Sequence, residues 1–168
     1  MPVSYKIAVV ILLPVRYNAI VTMSMQKQDS TPERNVSVMK KAMEFLKNCG
    51  TFYLATVEGD QPRVRPFGAV CEFEDKLYII TNNQKPVFAQ MMKNPKVEIS
   101  GMAGGKWIRL AAEAVRDTRR EARKAMLDAN EGLRNMYNED DGIVEVLYLK
   151  NATASICSFT EAPETWTF

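Results

Sequence analysis

Histidine is absent from the 168 residues of this chain, and that absence limits its chemistry more than any other feature of the composition. It excludes a Ser-His or Cys-His nucleophile pair, histidine general base catalysis and the usual histidine metal sites. Cysteine is sparse, and its three residues have no CxxC spacing, so no zinc or redox motif is present. Any difficult chemistry is therefore expected to be carried out by a bound cofactor.

A strong excess of one charge is also lacking. The chain has 22 basic and 20 acidic residues and a formal net charge of +2. This balance gives no reason to expect a nucleic-acid partner, which normally requires a basic domain or patch. The common nucleotide and hydrolase motifs GxGxxG, GxxxxGK[ST] and GxSxG are absent as well. The isolated cysteines are typical of reduced thiols, so the expected location is the cytoplasm.

Long hydrophobic runs are missing too. The aliphatic run over residues 7–15 is shorter than the roughly 20 residues needed to cross a membrane, so no membrane partner is expected. A signal peptide is the alternative, since Lys6 precedes the run, but no A-x-A cleavage site follows it. Residues 26–35 are polar and typical of a linker. We therefore expect residues 1–36 to form a poorly ordered or non-core extension and residues 37–168 to form one domain.

The pattern from residue 37 onward predicts strands joined by tight turns, with helices confined to the connections. Glu58-Gly59-Asp60 is a hairpin turn signal, whereas Pro66 and Gly68 inside a strand indicate an edge, a bulge or close approach by a ligand. Short antiparallel neighbours favour an α+β, mainly β domain built as a small barrel. The six expected strands cover residues 52–57, 63–73, 77–81, 96–102, 106–115 and 144–159.

Three helices are expected around these strands. Ser37 is a candidate N-cap for the first, which places its apolar residues on one side as far as Cys49. The second covers residues 85–94 and tolerates a proline in its first turn. Residues 118–121, Thr-Arg-Arg-Glu, form a capping box that opens the third. Residues 132–142 are then a polar loop.

Two segments together predict an anion site. Arg63 and Arg65 are one residue apart in an extended segment, so their side chains point to the same face of a sheet. Residues 81–85, Thr-Asn-Asn-Gln-Lys, close another apolar run with small polar groups and a cation, at the positive end of a helix. Both segments suit a phosphate. The arginine pair is also typical of the solvated face of a strand, and its spacing leaves both interpretations open.

Three further features have competing interpretations. Trp107 beside a lysine is typical of core or interface packing, yet a flat ring near cations also suits a planar, anionic ligand. The acidic residues 139–141 lack the spaced ligands of a calcium loop and are more typical of a solvated loop. The basic residues within 117–124 are typical of an exposed helix face, with nucleic-acid binding as the alternative.

The order and spacing of four segments resemble the pyridoxamine 5'-phosphate oxidase-like flavoproteins, in particular their small bacterial members of the nitroimidazole-resistance type. The resemblance covers residues 39–168. The segments that carry it are FYLATVEGDQPRVRPFGAV, KLYIITNNQK, QMMKNPKVEISG and KWIRLAAEAV.

This resemblance implies a six-stranded antiparallel split β-barrel with peripheral helices. It also implies a homodimer that binds FMN at the subunit interface. The family holds the flavin with a basic strand segment, with the end of the next strand and start of the following helix, and with a residue at the Trp107 position. The matching cofactor-binding residues here are Arg63, Val64, Arg65, Pro66, Ile80, Thr81, Asn82, Asn83, Lys85 and Trp107.

The function implied is that of an FMN-dependent oxidoreductase acting on an unidentified small molecule, with a reduced nicotinamide or another electron donor. Arg63 and Lys85 would neutralise the phosphate dianion, and Trp107 would wall the ring. The chain lacks the family's C-terminal substrate signature of Trp, Arg and Pro, so oxidation of vitamin B6 is not expected. The catalytic residues stay unassigned. The alternatives are a flavin-holding or flavin-sensing dimer without turnover, or a barrel that binds haem or a deazaflavin.

Overall fold

The computed structural model describes residues 32–168 of the chain, and residues 1–31 lie outside the described part. In this range the helices are α1 (Pro32–Cys49), α2 (Pro86–Lys93), α3 (Arg120–Ala129) and a short 3-10 helix (Glu131–Asn135). The strands are β1 (Phe52–Glu58), β2 (Gln61–Phe67), β3 (Val70–Phe73), β4 (Lys76–Asn82), β5 (Lys96–Ala103), β6 (Lys106–Asp117), β7 (Val144–Cys157) and β8 (Glu164–Thr167).

All strand pairs in the sheet are antiparallel, and the predicted split-barrel class is confirmed. The sheet order is β2-β1-β5-β6-β7-β4-β3, with β8 added on β7. The strands β2 and β3 therefore form the two edges of this order, yet only Gly68 and Ala69 separate them in the chain. The split in the barrel lies between these two edge strands.

The described residues contain eight strands instead of the predicted six. One extra strand arises because the predicted strand over residues 63–73 divides at Gly68 and Ala69. Pro66 cannot donate a backbone hydrogen bond to a further neighbour, and an edge position suits it. A Cβ on Gly68 would lie 3.3 Å from the Gly50 carbonyl oxygen, so the chain passes close to its own backbone there. The other extra strand is β8, which pairs with β7 at residues 153–156.

The hairpin between β1 and β2 forms at the predicted turn, where Gly59 adopts a positive φ of 65°. The long strand β7 is continuous and carries a β-bulge near Lys150. Ala111 pairs with Thr153 but Glu113 pairs with Lys150, so β7 contributes one extra residue there, and Asn151 has a φ of 52°.

Two predicted helix starts are wrong. α1 begins at Pro32 instead of Ser37, because Pro32 is preset for a first turn and Glu33 complements the helix dipole. The last five residues of the predicted extension thus belong to this helix. α3 begins at Arg120 with no side-chain cap from the predicted box. No helix of residues 32–168 combines the length and apolar character that a membrane span requires.

The apolar core has two parts. The barrel interior is filled by strand residues and closed by α1, with Met39, Leu46 and Phe52 almost fully buried. A second cluster lies between α3 and the opposite face of β3, β4 and β7, around Tyr78 and Met126. Consecutive residues of β4 therefore face different clusters. The end of this strand, followed within four residues by α2, is held from both sides.

Candidate functional site

A cavity of about 600 Å³ opens at the split of the barrel. Its walls come from four parts of the chain: the end of β2 with the link to β3, the end of β4, the start of α2, and the segment after α3. The lining residues are Arg65, Pro66, Phe67, Gly68, Ala69, Ile80, Thr81, Lys85, Val87, Asn130, Glu131, Gly132, Leu133, Met136 and Tyr137. This volume is in the range of small-molecule and cofactor sites.

Arg65 is a half-buried cation whose hydrogen-bond partners are neutral. It lies opposite Leu54 in the β1–β2 ladder. Its guanidinium donates to Thr56 Oγ1 at 2.8 Å and to Gln90 Oε1 at 2.7 Å. Burial, with the nearby Arg63 charge, lowers the pKa of Arg65. No ion pair with a carboxylate in residues 32–168 neutralises it, so its charge is available to an anionic ligand.

Lys85 brings a second positive charge to the cavity. It is the N-cap residue of α2, with extended backbone at φ −87° and ψ 138°, and Pro86 follows in the first turn. No side-chain cap occupies this helix end, whose free N–H groups carry partial positive charge. The ammonium makes no ion pair with a carboxylate of the described residues. Lys85 and the helix end therefore favour a negative group at the same place.

Thr81 supplies an unsatisfied polar atom. Its residue is only 4% exposed, and it lines the cavity near the end of β4. Its Oγ1 has no hydrogen-bond partner in residues 32–168. An unpartnered buried hydroxyl costs about 1–3 kcal/mol in the ligand-free protein, and a ligand oxygen that reached Thr81 would relieve that cost.

Five of the ten sequence-predicted site residues line this cavity: Arg65, Pro66, Ile80, Thr81 and Lys85.

The other predicted residues of the arginine segment lie outside it. Arg63 shares a face with Arg65, as predicted, but its guanidinium binds Glu58 at 2.7–2.8 Å and lowers the pKa of that carboxyl. The Val64 side chain is on the opposite face and is 64% exposed. Asn83 is also outside, where its Nδ2 donates to the Gly142 carbonyl at 2.8 Å.

Trp107 does not line the cavity of its own chain. It is at the far end of β6, where it pairs with Met102 and Cys157. Its ring packs against Phe159, with ring centroids 5.0 Å apart. The structure therefore places Trp107 at an outer surface of the barrel.

Asn82 acts behind the cavity wall. Its Oδ1 accepts a hydrogen bond from the Gln84 backbone N–H at 3.1 Å, and its Nδ2 donates to the Tyr137 hydroxyl oxygen at 3.0 Å. Because a backbone N–H can only donate, this pair of contacts fixes which end of the amide faces Tyr137. Asn82 thus ties the end of β4 to the segment after α3.

That segment was missed as part of a site, since residues 132–142 read as a polar loop. It forms one whole wall through Leu133, Met136 and Tyr137. These apolar residues recur at i, i+3 and i+4, which was the available signal for a one-sided helical turn. Nothing local in the sequence indicates that this turn packs against the end of β4, which lies about fifty residues earlier in the chain.

Ion pairs hold this wall in place. Arg120 binds Asp140 at 2.7 Å, and Arg134 binds Glu139 at 3.0 Å. Asp141 accepts the backbone N–H groups of residues 138, 143 and 144. The acidic residues are therefore engaged by arginines and backbone, and no metal-binding group of three acidic or cysteine side chains occurs in residues 32–168. The basic residues of α3 are likewise largely paired with carboxylates.

The comparisons with known proteins agree with this fold. The family model described as pyridoxamine 5'-phosphate oxidase matches residues 38–147. A crystal structure of a NimC/NimA family protein from Clostridium acetobutylicum is 55% identical, with 82% of this chain and 96% of that chain covered and a TM-score of 0.79. A comparison with curated proteins gave no significant match.

Two more distant structures share the fold alone. A pyridoxamine 5'-phosphate oxidase-related, FMN-binding protein from Nostoc punctiforme PCC 73102 is 14% identical, with 79% and 95% of the two chains covered and a TM-score of 0.51. A haem-binding protein from Mycobacterium smegmatis is 15% identical, with 82% and 58% covered and a TM-score of 0.58.

Proposed function

Because this chain belongs to the pyridoxamine 5'-phosphate oxidase-like family, we propose that it is an FMN-dependent oxidoreductase acting on a small molecule. The observation that supports FMN most directly is the pair of cations, Arg65 and Lys85, which line one cavity together with Thr81, whose hydroxyl is unpartnered. A hydroxyl donor and two positive charges match the needs of a phosphate dianion.

The residues present fit the cofactor. Lys85 and the N-terminus of α2 would hold the phosphate, Thr81 would donate to one of its oxygens, and Arg65 would add charge from β2. The apolar side chains of Phe67, Leu133 and Met136 offer surface for a flat ring. When bound, FMN supplies the redox chemistry by accepting and passing on a hydride or electrons.

We further propose that the protein is a homodimer. Val64, Tyr53 and Met102 are 52–64% exposed, and the ladder pairs place them on one outward face of β2, β1 and β5. Trp107 and the 87% exposed Phe159 continue this face. An exposed apolar face of this kind is typical of an association surface. In a dimer built on this face, Trp107 would contact a flavin held by the other copy.

The proposed location is the cytoplasm. Cys49, Cys71 and Cys157 are all unpaired, and burial raises the pKa of the Cys71 thiol to about 12. Buried, unpaired thiols of this kind are typical of proteins kept in a reducing compartment.

A dimer that holds flavin without turnover is the second candidate. It is favoured by the lack of histidine in the whole sequence. Among residues 32–168, Glu131 is the one carboxylate on the cavity wall. With no histidine and a single carboxylate on that wall, the protein would serve to store or sense the cofactor.

The visible spectrum and mass of the purified protein test these proposals together. We expect a yellow dimer whose flavin band bleaches with NADH or NADPH and returns when an organic acceptor is added. Bleaching by dithionite alone would favour the flavin-holding dimer. A colourless protein that takes up no added FMN, or one that binds haem in preference to it, would contradict both candidates.

Replacing Thr81 with valine is expected to weaken FMN binding about fivefold or more without loss of stability. Valine has a similar volume and removes the unpartnered hydroxyl, whose burial costs about 1–3 kcal/mol, so the free energy of unfolding should hold or rise. Flavin titration and urea unfolding give the two quantities. Thr153→Val, at an exposed position outside the cavity, is the control. Unchanged flavin affinity in Thr81→Val would remove Thr81 from the site.

A further inference from the structure

Tyr137 lines the cavity, and its hydroxyl hydrogen has no acceptor among the described residues. Its ring forms part of the wall, and its oxygen accepts the Asn82 Nδ2 hydrogen at 3.0 Å. A phenol has one O–H to donate in addition to its acceptor sites. No acceptor for that O–H is found in the part of the chain that the structure describes.

The orientation of the Asn82 amide makes this assignment firm. Its Oδ1 is occupied by the Gln84 backbone N–H at 3.1 Å, which can only donate. The group facing Tyr137 is therefore the amide nitrogen, and the phenol oxygen must act as acceptor towards it. The phenol hydrogen then points away from Asn82.

The Tyr137 backbone is held firmly as well. Its N–H donates to the Leu133 carbonyl at 2.9 Å, which closes the turn after the 3-10 helix. The Arg120–Asp140 and Arg134–Glu139 pairs tie down both sides of the same segment. A donor that is fixed before a ligand arrives loses little freedom on binding.

We propose that Tyr137 is a ligand-binding residue that donates a hydrogen bond to an oxyanion in the cavity. The other polar groups that reach the cavity from β4 and α2, Thr81 and Lys85, can also donate, and Arg65 adds a cation. Glu131 is the one carboxylate that residues 32–168 contribute to this wall, so the donors and the two cations outnumber it and favour an anion over a basic ligand. The inference rests on the proposed function for the ligand's identity: the oxyanion is either the FMN phosphate or a phosphate or carboxylate of the second substrate.

Tyr137→Phe tests the proposal, since it removes only the hydroxyl and keeps the ring in the wall. Tyr148→Phe is the matched control, because Tyr148 lies on β7 and does not line this cavity. FMN and riboflavin are titrated into the apoproteins. Inorganic phosphate is then titrated into the FMN-loaded proteins, and the rise in melting temperature is recorded.

If the flavin phosphate is the partner, Tyr137→Phe should lower FMN affinity about tenfold, the scale of one charge-assisted hydrogen bond, and leave riboflavin affinity unchanged. If a second substrate is the partner, FMN affinity should hold while the stabilisation by inorganic phosphate is lost. The control should match wild type in both titrations. Equal losses for FMN and riboflavin would assign the hydroxyl to the ring and overturn the proposal, as would wild-type behaviour in both titrations.

Failure of the proposed function gives a different pattern. If the wild-type protein binds no FMN, that function falls, and the apoproteins are compared in inorganic phosphate. A rise in melting temperature that is present in wild type and lost in Tyr137→Phe still supports an oxyanion site. The proposal is overturned if phosphate raises the melting temperature of wild type and Tyr137→Phe equally, or raises neither.

Discussion

Lys85→Ala is expected to weaken FMN binding by about 1.5–3 kcal/mol, which is roughly ten- to hundredfold in the dissociation constant. Lys85 lines the same cavity as Thr81, and its ammonium makes no ion pair with a carboxylate of residues 32–168. Its full charge can therefore act on a phosphate. The substitution should affect stability little, because Lys85 is exposed and its side chain does not cap α2.

Arg63→Ala is the matched control for this result. The function implied by the family resemblance assigned Arg63 to the phosphate together with Lys85. In the structure its guanidinium is bound to Glu58 and does not line the cavity. We now expect its removal to change FMN affinity by no more than about threefold, as for an exposed ion pair. A larger loss in Arg63→Ala than in Lys85→Ala would place the phosphate on the outer side of β2.

Fluorescence quenching during a flavin titration gives the dissociation constant of FMN for Lys85→Ala and for Arg63→Ala. Arg65→Ala is less informative, although Arg65 lies in the cavity. Its guanidinium also donates to Leu54, Thr56 and Gln90, so removing it would take one hydrogen bond from each of these partly buried groups and leave Gln90 Oε1 with the Thr56 hydroxyl alone. A loss of FMN affinity in Arg65→Ala would therefore combine an effect on binding with an effect on stability.

Much of the fold could be predicted because its signals are local. Alternation of buried and exposed residues defines β1 and β5, and the Gly59 turn and Pro86 mark the β1–β2 hairpin and the start of α2. The division of the long strand at Gly68 could not be predicted in the same way. Pro66 and Gly68 showed that something interrupts the strand, but the sheet order decides that its halves become opposite edges.

The candidate site was predictable to the same extent. Thr81 and Lys85 were found because a strand end and a helix start are adjacent in sequence. Leu133 and Tyr137 were missed because their contact with β4 depends on how α3 packs, which no short window shows. The third helix start was misjudged for a related reason. The Thr118 box fitted the pattern, but the buried Asp117 carboxylate takes the Arg119 N–H at 3.0 Å instead.

That carboxylate is the basis of the second large effect. Asp117→Asn is expected to lower the free energy of unfolding by about 2 kcal/mol at pH 7. Hydrogen bonds from the Arg119 guanidinium, helped by the Arg119 N–H and the buried Tyr78 hydroxyl, lower the pKa of Asp117 from 3.8 to about 2. A carboxyl whose pKa is lower in the folded state than in the unfolded state stabilises the folded state by about 1.4 kcal/mol for each pKa unit of difference.

The sign of this effect fixes its pH dependence. Since the folded pKa is the lower one, the contribution of Asp117 is complete above about pH 4 and is lost as the pH falls towards 2. Urea unfolding of wild type and Asp117→Asn between pH 7 and pH 2 should therefore show two curves that converge at the acid end. Asp140→Asn is the control, because Asp140 also pairs with an arginine but is exposed, and its curve should follow wild type closely. A difference for Asp117→Asn that stays constant down to pH 2 would mean that Asp117 stabilises the β4–β6 region by packing and neutral hydrogen bonds, and that its charge contributes nothing.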